Sequence, residues 1–311
     1  MAEPSRYRPF CTNSHRADRF CGIAGVPTDT PTWLPGRTVK YAQSQRRDMS
    51  AFGSSPESDG APQSGPVAQS GELLLSVRRG DPTEELKTQL ATLDSDELAD
   101  RLDTDGARTA FWVNIYNAAT QHALAENPAQ YDSRRKFFTT PLITVAGREL
   151  SLDDIEHGIL RRGYSKFTLG YLRRPSVLRT GFFTQHEPKK RDPRIHFVLN
   201  CGAESCPAIA SYTRERIDEQ LQFATEGYLD RYVEFHPDAR GRFAGVGTPG
   251  RVRVPRVMLW FRGDFGGRSG ILAFLRRYDC LPEGVNPRIA YREWDWAFDP
   301  ADYAEDDSHT D

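Results

Sequence analysis

The chain has 311 residues and a formal net charge of −2, a balance that gives no global attraction to nucleic acid or to an anionic membrane. No apolar run approaches the roughly eighteen residues of a membrane span, and no secretory leader pattern opens the chain. Its five cysteines, an odd number, argue for reduced thiols and against a disulfide framework, so a soluble cytoplasmic protein is expected.

Residues 1–48 do not read as a folded domain. They are rich in Arg, Pro and Thr, and their aromatic residues follow no helical or strand period. This stretch carries 8 basic and 4 acidic residues, or +4, whereas the remaining 263 residues carry 33 and 39, or −6. Met49 opens MSAFGSSPESDG, which reads like a natural N-terminus, and translation is expected to begin there. Cys11 and Cys21 could be half a metal site, but no matching pair stands nearby. Residues 52–70 have the Ser/Gly/Pro/Gln composition of a linker. The expected organisation is therefore an extension over 1–70, one domain over 71–299, and an acidic tail over 300–311.

Two amphipathic helices are expected first, over 72–79 and 83–93, the second buried through Leu86, Leu90 and Leu93. Residues 107–125 (ARTAFWVNIYNAATQHALA) give the strongest helix signal, apolar nearly all round and so expected to be buried on most sides. Asn114, Asn117 and Gln121 form one polar row on it. Such amides either pin neighbouring loop backbone or face a site, where Asn117 could orient a histidine or donate to an oxyanion.

A strand is expected over 140–145, followed by a turn at Gly147. Residues 151–162 (SLDDIEHGILRR) read as an α-helix with Ser151 and Asp154 in a capping box. Glu156 falls inside the apolar stripe of that helix and His157 at its edge. A carboxylate on a buried face is expensive unless paired, so Glu156 is either in a salt bridge, for instance with an arginine, or functional. Residues 163–191 read as a long basic surface excursion.

The stretch 194–209 (RIHFVLNCGAESCPAI) organises the functional reading. Alternation over 195–201 predicts a strand carrying His196, and Gly202 breaks it. Ser205-Cys206-Pro207 reads as a helix start, which would put Cys206 at the positive end of a helix dipole and favour its thiolate. Beyond it, helices are expected over 215–232 and 269–278, a loop over 235–250, and strands over 252–261 and 289–298. Pro255 marks an edge or bulge. The pattern predicts an α+β fold, a small mainly antiparallel sheet packed around a central buried helix.

Three functions fit these residues. In the first, Cys206 is the nucleophile of a cysteine-dependent hydrolase or acyl transferase, His196 or His157 the base, and Glu156 or Asn117 the group that orients the imidazole. In the second, the domain binds or scaffolds without catalysis and its polar core serves structure. In the third, Cys201, Cys206, His157 and His196 hold zinc, although alternation puts Cys201 and His196 on opposite faces. No cofactor is expected. The partners that fit are a small-molecule or peptide substrate or another protein, with neither nucleic acid nor membrane expected.

The landmarks together resemble the DUF547 family, of unknown function. They are the helix FWVNIYNA (111–118), the segment LDDIEH (152–157), the run IHFVLNCGAESCP (195–207) and the late aromatic YREWDW (291–296). The resemblance spans roughly 73–298. Plant members carry an added leucine-zipper region, which implies interaction roles, but no heptad run occurs here. The family supplies no reaction.

Overall fold

The computed structural model describes residues 65–237 and 250–299, apart from 176 and 178. Cys11, Cys21, Met49 and the tail over 300–311 lie outside the described residues. Among the described residues no helix is long and apolar enough to cross a membrane.

Helix α1 (Pro66–Arg79) opens on a proline, which needs no partner for its missing N–H, and ends on left-handed Gly80. It therefore starts inside the stretch read as linker. Helices α2 (Glu84–Ala91) and α3 (Ser95–Arg101) follow, and Asp94 caps α3 by accepting from the backbone N–H of Asp96 and Glu97. Helix α4 (Asp105–Glu126) is the centre of the molecule: 16 of its 22 residues are buried. Its apolar circumference needs covering on every side, and the larger of two hydrophobic cores forms around it.

A short helix α5 (Arg134–Thr139) leads into an antiparallel hairpin, β1 (Pro141–Val145) and β2 (Arg148–Ser151). Ala146 and Gly147 both take positive φ, the backbone of a two-residue hairpin turn with the right twist, and their N–H groups dock on the carbonyls of Leu90 and Ala91. The capping box at Ser151 forms as expected, with Ser151 Oγ 2.6 Å from Asp154 Oδ2 and the Asp154 N–H donating back to Ser151 Oγ. The segment it starts, however, is a π-helix over Asp154–Leu160 rather than an α-helix, and the Arg161 N–H reaches back five residues to Glu156.

After α6 (Gly181–His186), the predicted strand over 195–201 is instead a 3-10 turn (Pro193–Phe197) running into an irregular segment. Pro193 and the Asp192 cap start the turn. Alternation alone makes no strand when no neighbouring strand is available to take the backbone hydrogen bonds. Here a helix supplies them: Asn117 Nδ2 donates to the Val198 carbonyl at 3.0 Å and its Oδ1 accepts the Asn200 N–H at 3.0 Å. Asn114 likewise holds both backbone groups of Tyr212, and Gln121 reaches Asn200. Asn117→Ala is expected to cost about 2 kcal/mol, because it leaves a buried carbonyl and N–H without partners. Denaturant unfolding checks this.

No helix starts at Cys206; the chain turns there and reaches α7 only at Ile217–Tyr232. A three-stranded sheet then forms in the order β3 (Glu234–His236), β4 (Arg251–Val254), β5 (Arg288–Tyr291). The first pair is antiparallel and the second parallel, so the fold is α+β with two small sheets rather than one. Pro255 ends β4, and residues predicted to continue it form helix α8 (Val257–Trp260); helix α9 (Gly267–Arg277) follows. With Phe197 from the 3-10 turn, this half of the chain builds the second core around Val252, Met258 and Leu275. Residues 292–299 leave β5 and lie against the cysteine loop, where Glu204 N–H donates to Ala297 and Asp295 N–H to Ser205 Oγ.

Candidate functional site

A cleft of about 380 Å³ opens where the two cores meet. Helix α4 contributes Tyr116, the π-helix segment Asp153, Glu156 and His157, and the 3-10 turn His196. Helix α8 and the strand exit supply Trp260, Trp294 and Trp296, three indoles with ring centroids 5.3–5.8 Å apart. The walls are thus aromatic and the floor is titratable.

Behind the floor runs a buried chain of polar groups. Arg161, fully buried, donates through Nε and Nη2 to the two oxygens of Asp264 at 2.6 and 3.1 Å and lies over the Phe261 ring. Its Nη1 is 3.0 Å from His157 Nδ1. An arginine can only donate, so Nδ1 accepts and the His157 proton sits on Nε2, 3.4 Å from Asp153 Oδ1. Asp264 Oδ2 is also 3.0 Å from His196 Nε2, and Arg191 Nη1 is 2.6 Å from Asp264 Oδ1. The Asp264 carboxyl, against burial, is held well below the usual range by its hydrogen bonds to His196 and Arg161. It is therefore ionised and accepts a hydrogen bond from the Nε2–H of His196, which leaves His196 Nδ1 as a lone-pair acceptor on a ring stacked on Phe261 at 4.3 Å.

Burial pushes both imidazoles down, His157 most strongly, so both are neutral at pH 7. Glu156 behaves differently. Its side chain is 15% exposed, no hydrogen bond engages it among the described residues, and its nearest basic atom, His157 Nδ1 at 3.5 Å, is already occupied by Arg161. Burial raises its carboxyl from 4.5 to about 7, with Arg161 opposing and Asp153 adding to the rise. The arginine partner foreseen for Glu156 belongs instead to Asp264. Lys166, likewise, is paired with Asp153.

The candidate nucleophile is elsewhere. Cys206 is buried in the core and its Sγ accepts the Cys201 N–H at 3.0 Å. The thiol that lines the cleft is Cys201, pushed well above its ordinary value by the hydrogen bond to Cys206 and by burial. Among the described residues neither thiol hydrogen-bonds an imidazole, and without a helix start at Cys206 no helix dipole acts on it. Asn117 holds the backbone at Val198 and Asn200 rather than a histidine. Nor do three or more His, Cys, Asp or Glu side chains converge to hold a metal among the described residues, so the Cys201, Cys206, His157, His196 tetrad does not assemble. Of the sequence candidates, the cleft gathers Glu156, His157 and His196 and excludes Cys206.

Asp264 and Arg161 escaped the sequence reading. Arg161 carries only the signal of a basic residue at a helix end, and Asp264, 103 residues away, sits in RGDFGG with no periodicity around it. The glycine before it was the available clue: a Cβ on Gly263 would lie 2.4 Å from the Gly170 carbonyl carbon, so the backbone here is in direct contact with the 163–172 segment.

Residues 100–229 match the family described as "Protein of unknown function, DUF547". That span is narrower than the resemblance drawn from the motifs: it holds Tyr116, Glu156, His157, Arg161, His196 and both cysteines, while Asp264 and the three cleft tryptophans lie beyond it. No curated protein and no solved structure matches the chain. Through residues 100–229 the chain carries a domain of the DUF547 family.

Proposed function

We propose that the cleft is the centre of an acid–base enzyme acting on a small, largely apolar substrate, with Glu156 as the group that gives and takes the proton. The observation that carries this reading is the Glu156 carboxyl, largely buried at the floor of an aromatic cleft with no hydrogen-bond donor to hold it ionised. A carboxyl tuned to about 7 is suited to both directions of proton transfer near neutral pH. His196, neutral and held by Asp264, offers its Nδ1 lone pair as a second acceptor, and the Tyr116 phenol stays protonated beside Glu156 because burial pushes it well up. Aromatic walls exclude water and strengthen each of these interactions.

A cysteine-dependent hydrolase or acyl transferase is the second reading, favoured by one observation: Cys201 lines the same cleft. In it Cys201 rather than Cys206 attacks. A thiol raised above its ordinary value makes a poor thiolate, so iodoacetamide is expected to label Cys201 more slowly at pH 8 in the folded protein than in urea. Faster labelling in the folded state favours the thiol reading. The two are separated by turnover of chromogenic aryl esters and glycosides between pH 5 and 9. Glu156→Gln is expected to lower the rate by about a hundredfold or more, while Cys201→Ser leaves it within a few fold. The opposite pattern overturns the acid–base reading, and binding without turnover makes the cleft a recognition site.

A further inference from the structure

Of the large apolar side chains exposed among the described residues, all but Phe298 lie between Phe167 and Val177. Phe167 is 83% and Leu172 64% exposed, with Leu169 and Tyr171 beside them. An isolated exposed leucine needs no explanation, but a run of this kind in one segment does. Phe167 and Leu169 also line the mouth of the cleft, so the apolar rim continues the apolar wall.

The rim is built firmly. Ser165 N–H donates to Leu172, Gly170 N–H to Ser165, and Gly263 N–H to the Leu169 carbonyl at 2.7 Å. Arg191 Nη1 donates to the Gly170 carbonyl, tying the rim to Asp264. Leu169 itself stands at φ 52°, a left-handed backbone that a leucine adopts only at a cost of about 1 kcal/mol or more. A glycine would be unstrained there; the side chain is kept at the mouth of the cleft in spite of it.

The charge of the rim is one-sided. No acidic residue occurs over 157–186. Lys166 faces Asp153, and Arg162, Arg173 and Arg179 all converge on Glu187, so with exposed Arg174 five basic side chains stand against two carboxylates. An apolar pocket whose apolar lip belongs to a segment with a surplus of positive charge suits one kind of molecule. We infer that the cleft takes a single soluble amphiphile, an apolar chain carrying an anionic head group, with the chain against the indoles, Phe167 and Leu169 and the head beside Lys166. The assignment rests on the reading of the cleft as a ligand site and names the class of ligand.

Dodecyl phosphate and dodecyltrimethylammonium, both held below their micelle-forming concentrations, test this on the full chain, with the fluorescence of the cleft tryptophans and calorimetry as readouts. The phosphate is expected to bind about tenfold or more tightly than the ammonium, with an affinity that falls as salt is added. Phe167→Ser and Leu169→Gly are each expected to weaken it by about tenfold. Leu169→Gly relieves the strained φ, so its melting temperature should not fall and lost binding cannot be ascribed to unfolding. Equal affinity for the two head groups, or for dodecanol, leaves the cleft a ligand site and overturns the anionic class. No binding by any chain overturns both. Sedimentation with phosphatidylserine-containing vesicles without binding of the monomeric phosphate assigns the rim to a membrane surface and likewise overturns the inference.

Discussion

Glu156→Gln is expected to stabilise the protein by about 3 kcal/mol at pH 8 and to leave it unchanged at pH 4. The carboxyl is raised from 4.5 to about 7 in the folded state, and each unit is worth about 1.4 kcal/mol. Between those two values the native state holds a proton that the unfolded state has released, so stability falls as pH rises. Below the lower value both states are protonated and nothing is lost; above the upper value the full cost of a largely buried, unpaired carboxylate is present. Glutamine keeps the shape and removes the charge. Urea midpoints of the two proteins at pH 4, 6 and 8 check this, and a difference independent of pH contradicts it. Such a cost is what a fold tolerates where the carboxyl serves chemistry.

Asp264→Ala is expected to destabilise the protein by about 3–5 kcal/mol, because it leaves the fully buried Arg161 without its carboxylate. Arg191 and His196 lose the same partner, at 2.6 and 3.0 Å. The Asp264 carboxyl is held well below its usual range, so its contribution is present above the ordinary carboxylate titration and is lost as pH falls through the lowered value. Thermal melting at pH 7 should show a fall of about 10 °C or more. At pH 7 Asp264→Asn is expected to lie between the two, since its amide oxygen still accepts one guanidinium bond. An alanine variant as stable as the wild type would mean that Arg161 finds another acceptor.

What the sequence made legible was local. The 107–125 signal became α4 almost residue for residue, because a helix buried all round needs no partner-specific information to be recognised. The Ser151–Asp154 box was readable for the same reason: three residues carry the whole geometry. Helix α3 was equally readable from Asp94 and Glu97, yet no element was expected between 93 and 107. The failures are those in which a distant residue decides. Alternation over 195–201 looked like a strand, yet its backbone bonds to Asn117, about 80 residues away in the chain. The strand expected over 252–261 stopped at Pro255, where the missing N–H ends the ladder.

At the site, Glu156 and His157 were legible as polar residues on an apolar stripe, a conflict that marks an energetic cost. Their geometry was not, because the π-helix changes which neighbours they meet. Cys206 drew attention through the motif around it, and the core claimed it. Asp264, which ties Arg161, Arg191 and His196 together, stands in a stretch with no pattern and became visible only once the chain was folded.

The most direct test of the account is the titration of Glu156 itself, followed by carbon-detected NMR of glutamate carboxyl carbons and assigned by comparison with Glu156→Gln. A carboxyl at the floor of the cleft without a donor is expected to titrate near 7. A midpoint with the other glutamates, near the ordinary value of about 4.3, would mean that the carboxyl is solvated or paired, and the cleft would lose its proton-transferring group.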